Sequence, residues 1–367
     1  MKANHIALIF HDFSTGGSER IAIRLANAWA ASGRRVTIFC GTDEGRARVL
    51  VSDLITVIPC TPPIRRGWMS RIRLGWRLPS LIESDRPDIL FAPGNFHLSV
   101  LAVASRRTAP SRMRFVCKIS NPLVPRAMPQ FFAKIVSMAM QMALKPIDQL
   151  TTMSPLLAYE AGAILPGRAL PSIDEPVLDH RPTASGHIAA RDHSSLILCI
   201  GRLEAQKDFG LALRAFAEMS PLSRTRLVIL GEGPDRERLR TLAATLSIAR
   251  RVEFPGHVTD VADWMARARL LLMTSHFEGF PAVLIEARAA GLPVISTNCS
   301  TALPEIISCS CHGEIVPGRE PGAIAAAILR QLDVAVVDRA KVARGTERFL
   351  VDTIAPQWLT LFDRIAA

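Results

Sequence analysis

The chain has 367 residues, 49% of them hydrophobic and 21% charged, and a formal net charge of +11. That composition fits a soluble globular protein with core enough for two domains, and no apolar run approaches the ~18 residues a membrane-spanning helix needs. The run Ile6–Phe10 is too short for the apolar centre of a secretory leader, so the expected location is the cytoplasm.

In chain order, short apolar runs alternate with helical stretches. Strands are expected over His5–Phe10, Val36–Cys40, Ile55–Pro59, Asp88–Ala92, Phe115–Lys118 and Gln149–Thr152. Helices are expected over Ser18–Ser32, where Ile21, Leu25 and Trp29 fall on one side, and over Ser70–Asp85. Residues 165–195 are rich in Pro, Gly, Ser and charge and read as a linker or exposed connection. The alternation then restarts with strands over Leu196–Ile200, Leu227–Leu230, Val252–Phe254, Leu270–Met273, Val294–Ile295 and Glu314–Val316. Helices intervene over Phe209–Met219, Asp235–Leu246, Val261–Arg267, a stretch opening after Pro281, and Pro321–Leu332. Buried strands separated by helices imply parallel sheets covered on both faces. The expected fold class is α/β: two Rossmann-like, doubly wound domains facing a cleft, over residues 1–170 and 171–353. The terminal helix, with Trp358, Leu361 and Phe362 on one side, is a candidate to return to the first domain over residues 354–367.

Charge is unevenly placed. Residues 54–147 hold fourteen Lys/Arg against three acids, a local excess that equals that of the whole chain. Such asymmetry points to an anionic partner for one part of the protein. The seven cysteines are scattered, and Cys309 and Cys311 have no second pair at zinc-site spacing, so all are expected as reduced thiols and no metal site is expected.

Four segments place polar residues where parallel sheets bind ligands, at the carboxyl ends of strands. In "FHDFSTGGSER", Gly16 and Gly17 lie between the first strand and a helix capped by Ser18, where exposed N–H groups favour anions. The spacing is not that of a dinucleotide fingerprint, and a bare turn explains it equally well. In "ILCIGRLEAQKDF", Arg202 and Lys207 follow a buried strand, a bidentate donor and a point charge suited to phosphate, or else two solvated loop cations. "LVILGEGPDRERL" is a further glycine turn to which no chemistry is assigned. In "HFEGFPAVLIEARAAGLPVIST", Glu278 falls on a loop, Pro281 at a first helical position, and Glu286 inside an apolar helix, where an unpartnered carboxylate is costly. A capping Glu278 and a Glu286 neutralised by Arg288 or Arg202 is the plain alternative. Cations beside carboxylates suit a nucleotide sugar.

Over most of its length the sequence resembles the retaining family 4 glycosyltransferases of the GT-B fold, through "GGSER", "GRLEAQKDF", "LGEGPDRERL", "FPGHVTDV", "SHFEGFPAVLIEARAAGLPVIST" and "GEIVPGREP" in that order. The resemblance implies an acceptor-side first domain and a donor-binding second domain. It implies that Arg202 and Lys207 bind the donor diphosphate, that Glu286 holds the ribose hydroxyls, and that Glu278 contacts the transferred sugar. The segment Gly279, Phe280, Pro281 and Ala282 would bring backbone N–H groups, from its non-proline residues, to the sugar–phosphate region, and the Gly16–Gly17 loop would close over the diphosphate. The donor would be a nucleoside-diphosphate sugar, with neither cofactor nor metal required, in keeping with the lack of an Asp-x-Asp constellation. Many relatives carry a histidine in the loop after the fifth strand; here "CKISNPLVPR" has none, and Ser120, Asn121 and the separate His97 are the acceptor-side candidates.

Residues 61–82 combine five arginines, two tryptophans and no acid, and residues 126–146 mix Phe, Met and Ile with Arg126, Lys134 and Lys145. Cations with interfacial aromatics suit an anionic membrane, so peripheral docking at the inner face and a lipid-linked or saccharide acceptor are expected. Few aromatics and no recognised module argue against nucleic acid. A sugar-nucleotide epimerase of the same fold, a basic nucleic-acid-binding protein and a non-catalytic scaffold are the alternatives.

Overall fold

The computed structural model describes residues 2–14, 16–108, 113–124, 128–182, 184, 187–189, 196–219 and 224–367. The chain divides into two compact units, Met1–Asp179 with Arg348–Ala367, and His180–Glu347.

In the first unit, β1 (His5–Phe10), β2 (Arg35–Cys40), β3 (Ile55–Pro59), β4 (Ile89–Ala92), β5 (Arg114–Ile119) and β6 (Gln149–Thr152) form one sheet in the order β3-β2-β1-β4-β5-β6. Every pairing is parallel. All six residues of β1 are buried, as a strand covered on both faces requires. The helices are α1 (Gly17–Ala31), α2 (Ser70–Asp85), α3 (Leu98–Arg107), α4 (Gln130–Leu144) and α5 (Pro155–Ile164). Ser154 caps α5 by accepting the Leu157 N–H, with Pro155 next to it at the helix start.

The second unit repeats the plan. After the short β7 (His187–Ala189) come β8 (Leu196–Ile200), β9 (Arg226–Leu230), β10 (Val252–Gly256), β11 (Leu270–Met273), β12 (Val294–Thr297) and β13 (Gly313–Val316), ordered β10-β9-β8-β11-β12-β13 and all parallel. Its helices are α6 (Phe209–Ala217), α7 (Arg236–Thr245), α8 (Val261–Arg267), α9 (Ala282–Ala289), α10 (Leu303–Ile306), α11 (Pro321–Asp333) and α12 (Arg339–Ala343). β14 (Val336–Asp338) pairs antiparallel with β7. In both sheets the strand order reverses beside the first strand, which leaves the loops after the first and fourth strands adjacent at a switch point.

The last helix, α13 (Val351–Ala366), belongs to the first unit. Its Ile354, Trp358, Leu361 and Phe362 share a core with Trp29 of α1 and Phe91 of β4. Aromatic ring centroids lie 4.8 Å apart for Phe91–Trp358 and 5.2 Å for Trp29–Phe362. The Trp29 indole donates to the Ala355 carbonyl at 3.2 Å, and Arg34 holds Asp363 at 2.7 Å. On the opposite face of the same sheet, α2 and α3 supply Leu74, Leu78, Leu98 and Leu101 to a second core. No helix among the described residues is long and apolar enough to cross a membrane.

Two expectations are corrected. The stretch after residue 165 is not a wholly exposed connection: Ile173, Val177 and Leu178 are buried, and the buried Glu175 carboxylate meets Lys118 Nζ at 2.5 Å. Its polar composition hid this because the apolar residues are few and aperiodic. Residues 183, 185–186 and 190–195 of that stretch lie outside the described residues. Cys309 and Cys311 are not free thiols but a disulfide, since the turn between α10 and β13 brings their Cα atoms to 5.4 Å, within bonding reach. The other five cysteines are buried and free, and burial pushes the Cys117 thiol up to about 12.

Removing the Trp358 side chain empties the largest contact of α13. Trp358→Ala is expected to destabilise the first unit by ~3–5 kcal/mol, read as a shift of its urea transition; a loss under ~1 kcal/mol would contradict the docking described.

Candidate active site

At the carboxyl end of the second sheet, two loops are fastened together. The loop after β8 carries Arg202 and Lys207, and the loop after β11 carries Glu278. Lys207 Nζ donates to Glu278 Oε1 at 2.6 Å, and Ser275 Oγ donates to the same oxygen at 2.7 Å. Backbone bonds hold the loops in this register: His276 N–H donates to the Gln206 carbonyl at 2.8 Å, and Glu278 N–H to the Cys299 carbonyl at 2.8 Å. The structure thus joins two residues seventy-one positions apart that sequence reasoning placed in one site.

Arg202 is on the same loop but pairs with Glu204 at 2.8 Å, its side chain 68% exposed. The two cations therefore answer different acids rather than forming one cluster. Glycines behind them have a clear purpose: a Cβ on Gly231, whose φ is +137°, would lie 1.9 Å from the Gly201 carbonyl oxygen, and one on Gly233 2.3 Å from that of Leu203. Only glycine lets the turn after β9 support the turn carrying Arg202 so closely.

The α9 helix opens at Ala282, after Pro281 as expected, with Pro281 as its N-cap rather than its first helical residue. Ser300 Oγ fixes the Gly279 carbonyl at 2.7 Å, and the Ala282 N–H donates to the Phe280 carbonyl at 2.9 Å, so that this N–H is engaged. Glu286 stands about one turn into α9, half-buried. Arg288, a suggested counter-charge, is buried and donates to the carbonyls of Ile306, Val342 and Arg344.

In the first unit, Gly16 rather than Ser18 is the N-cap of α1, and no side chain caps it. Ser18 and Glu19 line a cavity of about 120 Å³ together with His97, Ser120 and Asn121. Asn95, which sequence reasoning missed, organises it: its Oδ1 accepts the N–H groups of Ser120 at 2.7 Å and Asn121 at 3.2 Å, joining the loops after β4 and β5. His97 is buried, its Nε2 has no hydrogen-bond partner among the described residues, and burial pulls its pKa down to about 3. It is a neutral imidazole with one unused nitrogen.

Arg66, half-exposed within the basic run, is nonetheless tied to its neighbours. Its Nε donates to Asp12 Oδ2, and its Nη2 to Asp12 Oδ1 at 2.9 Å, Ser14 Oγ at 2.8 Å and Glu19 Oε1 at 3.2 Å. The guanidinium also lies over the Phe96 ring at 5.0 Å. Burial alone would raise the Asp12 carboxyl, but the bonds from Arg66 and Ser14 reverse this and hold it well below the usual carboxylate range. Five arginines in one apolar segment look alike in sequence; this one ties down the loop on which Gly16 and Gly17 sit.

One cluster could be taken for a metal site. Ligand atoms of Cys309, Cys311 and His312 lie within 4.8 Å of one another. The two sulfurs are bonded together, His312 Nε2 accepts from Arg288 at 2.8 Å, and Nδ1 lies 3.2 Å from Ser308 Oγ. An arginine can only donate, so Nε2 is the acceptor and Nδ1 carries the proton. The cluster thus offers an ion neither a thiolate nor an unengaged imidazole nitrogen.

Comparison with known proteins identifies the family and the fold. Residues 194–333 match a family model described as "Glycosyl transferases group 1" and residues 15–162 one described as "Glycosyltransferase Family 4". The lipopolysaccharide core biosynthesis glycosyltransferase LpsD of Rhizobium meliloti (strain 1021) is 24% identical over 383 residues, covering 99% of this chain and 98% of its own. The exopolysaccharide phosphotransferase of Streptomyces coelicolor is 35% identical over 171 residues, 45% of this chain, which spans only 18% of that relative. Among solved structures, Anabaena HepE in complex with UDP-glucose superposes with a TM-score of 0.76 at 18% identity, covering 98% of this chain and 100% of its own.

The depressed pKa of His97 has a consequence for stability. The unfolded chain takes up a proton near the ordinary histidine value of 6.5, the folded one only near about 3, so in that window the unfolded state binds more protons and stability falls with falling pH. The melting temperature is expected to drop between pH 6.5 and 4, and His97→Asn to reduce that slope; an unchanged slope would show that His97 is not buried neutral.

Proposed function

Because this chain belongs to the family 4-type glycosyltransferases of the GT-B fold, we propose that it moves a sugar from a nucleoside-diphosphate sugar to an acceptor hydroxyl with retained anomeric configuration. The observation that carries the reading is the Lys207–Glu278 contact at 2.6 Å at the strand ends of the second sheet. Cleaving the glycosyl bond leaves negative charge on the diphosphate and positive character on the sugar. Lys207 and Arg202 are the charges that neutralise the first, Arg202 by swinging its exposed guanidinium inward. Glu278 accepts hydroxyls of the transferred sugar and Glu286 those of the ribose. The diphosphate competes with Glu278 for Lys207, so donor binding frees the carboxylate as it engages the ammonium. Neutralisation by side chains requires no metal, and turnover is expected to persist in EDTA.

The acceptor in this reading is a lipid-linked or polysaccharide intermediate, reached at an anionic membrane surface, with no part for nucleic acid. Relatives named for lipopolysaccharide core and exopolysaccharide work support that class. So does α4, where only Leu144 is buried and Phe131, Ile135, Met138 and Met142 form an exposed stripe at helical spacing, Phe131 at 70% and Met142 at 67% exposure. Trp68, Ile72 and Trp76 are exposed on and beside α2, with Arg107 stacked on Trp76 at 3.9 Å. Fifteen residues reach only about 22 Å, short of the ~30 Å bilayer core, so α4 lies along the surface with its apolar stripe in the headgroup boundary. Lys134 and Lys145 face anionic lipid there; Arg126 lies outside the described residues.

Two experiments test this. UDP-, GDP- and ADP-sugars are screened by thermal shift, where a ligand at a hundredfold its Kd adds ~2.7 kcal/mol; one series is expected to stabilise the wild type. Alanine at Arg202, Lys207 and Glu286 together is expected to abolish that shift, and an undiminished shift in the folded variant rejects the site. Sedimentation with phosphatidylglycerol vesicles is expected to capture the wild type in low salt but leave Phe131→Ser/Ile135→Ser/Met138→Ser in the supernatant. Equal recovery of both in the supernatant at every salt concentration counts against docking. Arg66 is left intact in such variants, since it is not a free surface charge.

A further inference from the structure

We propose that Arg319 is a positioning residue that holds Lys207 and Glu278 in register. The proposal rests on the reading of Lys207 as a diphosphate ligand. Arg319 follows β13, the edge strand of the second sheet, within the segment "GEIVPGREP", to which sequence reasoning gave no individual residue role. Its guanidinium reaches back to the loops after β8 and β11. Nη1 donates to the Ser275 carbonyl at 2.8 Å, and Nη2 donates to the Thr274 carbonyl at 2.9 Å and to Asp208 Oδ2 at 2.7 Å. One planar cation therefore joins three loops.

Each group it touches lies next to, or bonds directly to, one of the working pair. Asp208 immediately follows Lys207 and stands at φ 41°, a left-handed conformation that aspartate tolerates better than most residues because its short side chain bonds locally. Its carboxylate also accepts the Leu211 N–H at 3.2 Å, which starts α6, and lies 3.4 Å from His276 Nε2. The Thr274 hydroxyl donates to the carbonyls of Asp208 at 2.9 Å and Lys207 at 3.3 Å. The Ser275 hydroxyl donates to Glu278. Through Asp208, Arg319 fixes the turn from which the Lys207 side chain departs. Through the Thr274 and Ser275 carbonyls, it fixes the loop that presents Glu278. A lysine at 319 could keep the charge opposite Asp208 but lacks the planar fork that reaches both carbonyls.

The test is a double-mutant cycle read as UDP affinity by isothermal titration of the full chain. Arg319→Ala is expected to weaken UDP binding about tenfold, in the range measured for coupled neighbours, and Arg319→Lys to recover only part of the loss. In the Lys207→Ala background, Arg319→Ala is expected to add nothing, because its effect passes through Lys207. A general loss of structure would instead lower affinity in both backgrounds alike. Losses that multiply in the double variant, or wild-type affinity in Arg319→Ala, overturn the positioning role. Wild-type affinity in Lys207→Ala alone overturns the assignment of Lys207 and leaves the clamp geometry untouched. Should Arg319→Ala fail to fold, Arg319→Lys takes its place in the cycle and is read by the same criteria.

Discussion

An ammonium 2.6 Å from a carboxylate stays there only while both loops that carry the pair are held still. Neither loop is regular structure, so the rigidity comes from the sheet beneath and from cross-loop bonds above. Parallel strands supply the first: β8 and β11 are neighbours in the middle of their sheet, and their exits open side by side. Side chains and main chain supply the second, from Thr274, Gln206 and Arg319. The glycine turn after β9 packs underneath with backbone against backbone, leaving the exit of β8 little room to move. A site assembled this way does not depend on any one strong contact. It depends on many modest ones agreeing on a single geometry.

The first unit achieves order differently. Its loops at the strand ends are drawn together by side chains with several bonding directions: Asn95 between the exits of β4 and β5, and Arg66 between the exit of β1 and the start of α1. Each of them bonds to more than one loop or element end at once. Among the described residues His97 Nε2, like His11 Nε2, has no hydrogen-bond partner, and His97 lines a small cavity. A buried polar atom without a partner is destabilising in the isolated protein, and its retention there fits a cavity that takes up a polar molecule.

Much of the architecture is legible in the residues because parallel sheets buried on both faces demand short, wholly apolar strands. His5–Phe10, Ile55–Pro59, Leu196–Ile200 and Leu270–Met273 have the limits their composition suggests. Lys207 and Glu278 are legible as a type of chemistry at a type of place. Their pairing is not, since it depends on bonds between the loops after β8 and β11, which lie some seventy residues apart in sequence. Arg66 and Arg319 were opaque for a related reason: an arginine in a loop looks the same whether it faces water or fastens three strands' worth of backbone. The Cys309–Cys311 bond was hidden by its short span, which composition reads as two separate thiols. Polar connections such as that around Glu175 conceal their burial because one ion pair with Lys118, rather than an apolar pattern, holds them in place.

The path of the chain has a further consequence during synthesis. The second unit is an uninterrupted segment, whereas the first is made of two pieces separated by the whole of it, and the second piece carries Trp358 and Phe362. A ribosome therefore delivers everything the second unit needs before it delivers the last helix of the first. Until then Trp29 and Phe91 lack their covering, and the nascent amino-terminal half presents an open apolar face for as long as the rest takes to emerge. Completion of the first unit therefore waits on a segment made after the whole of the second.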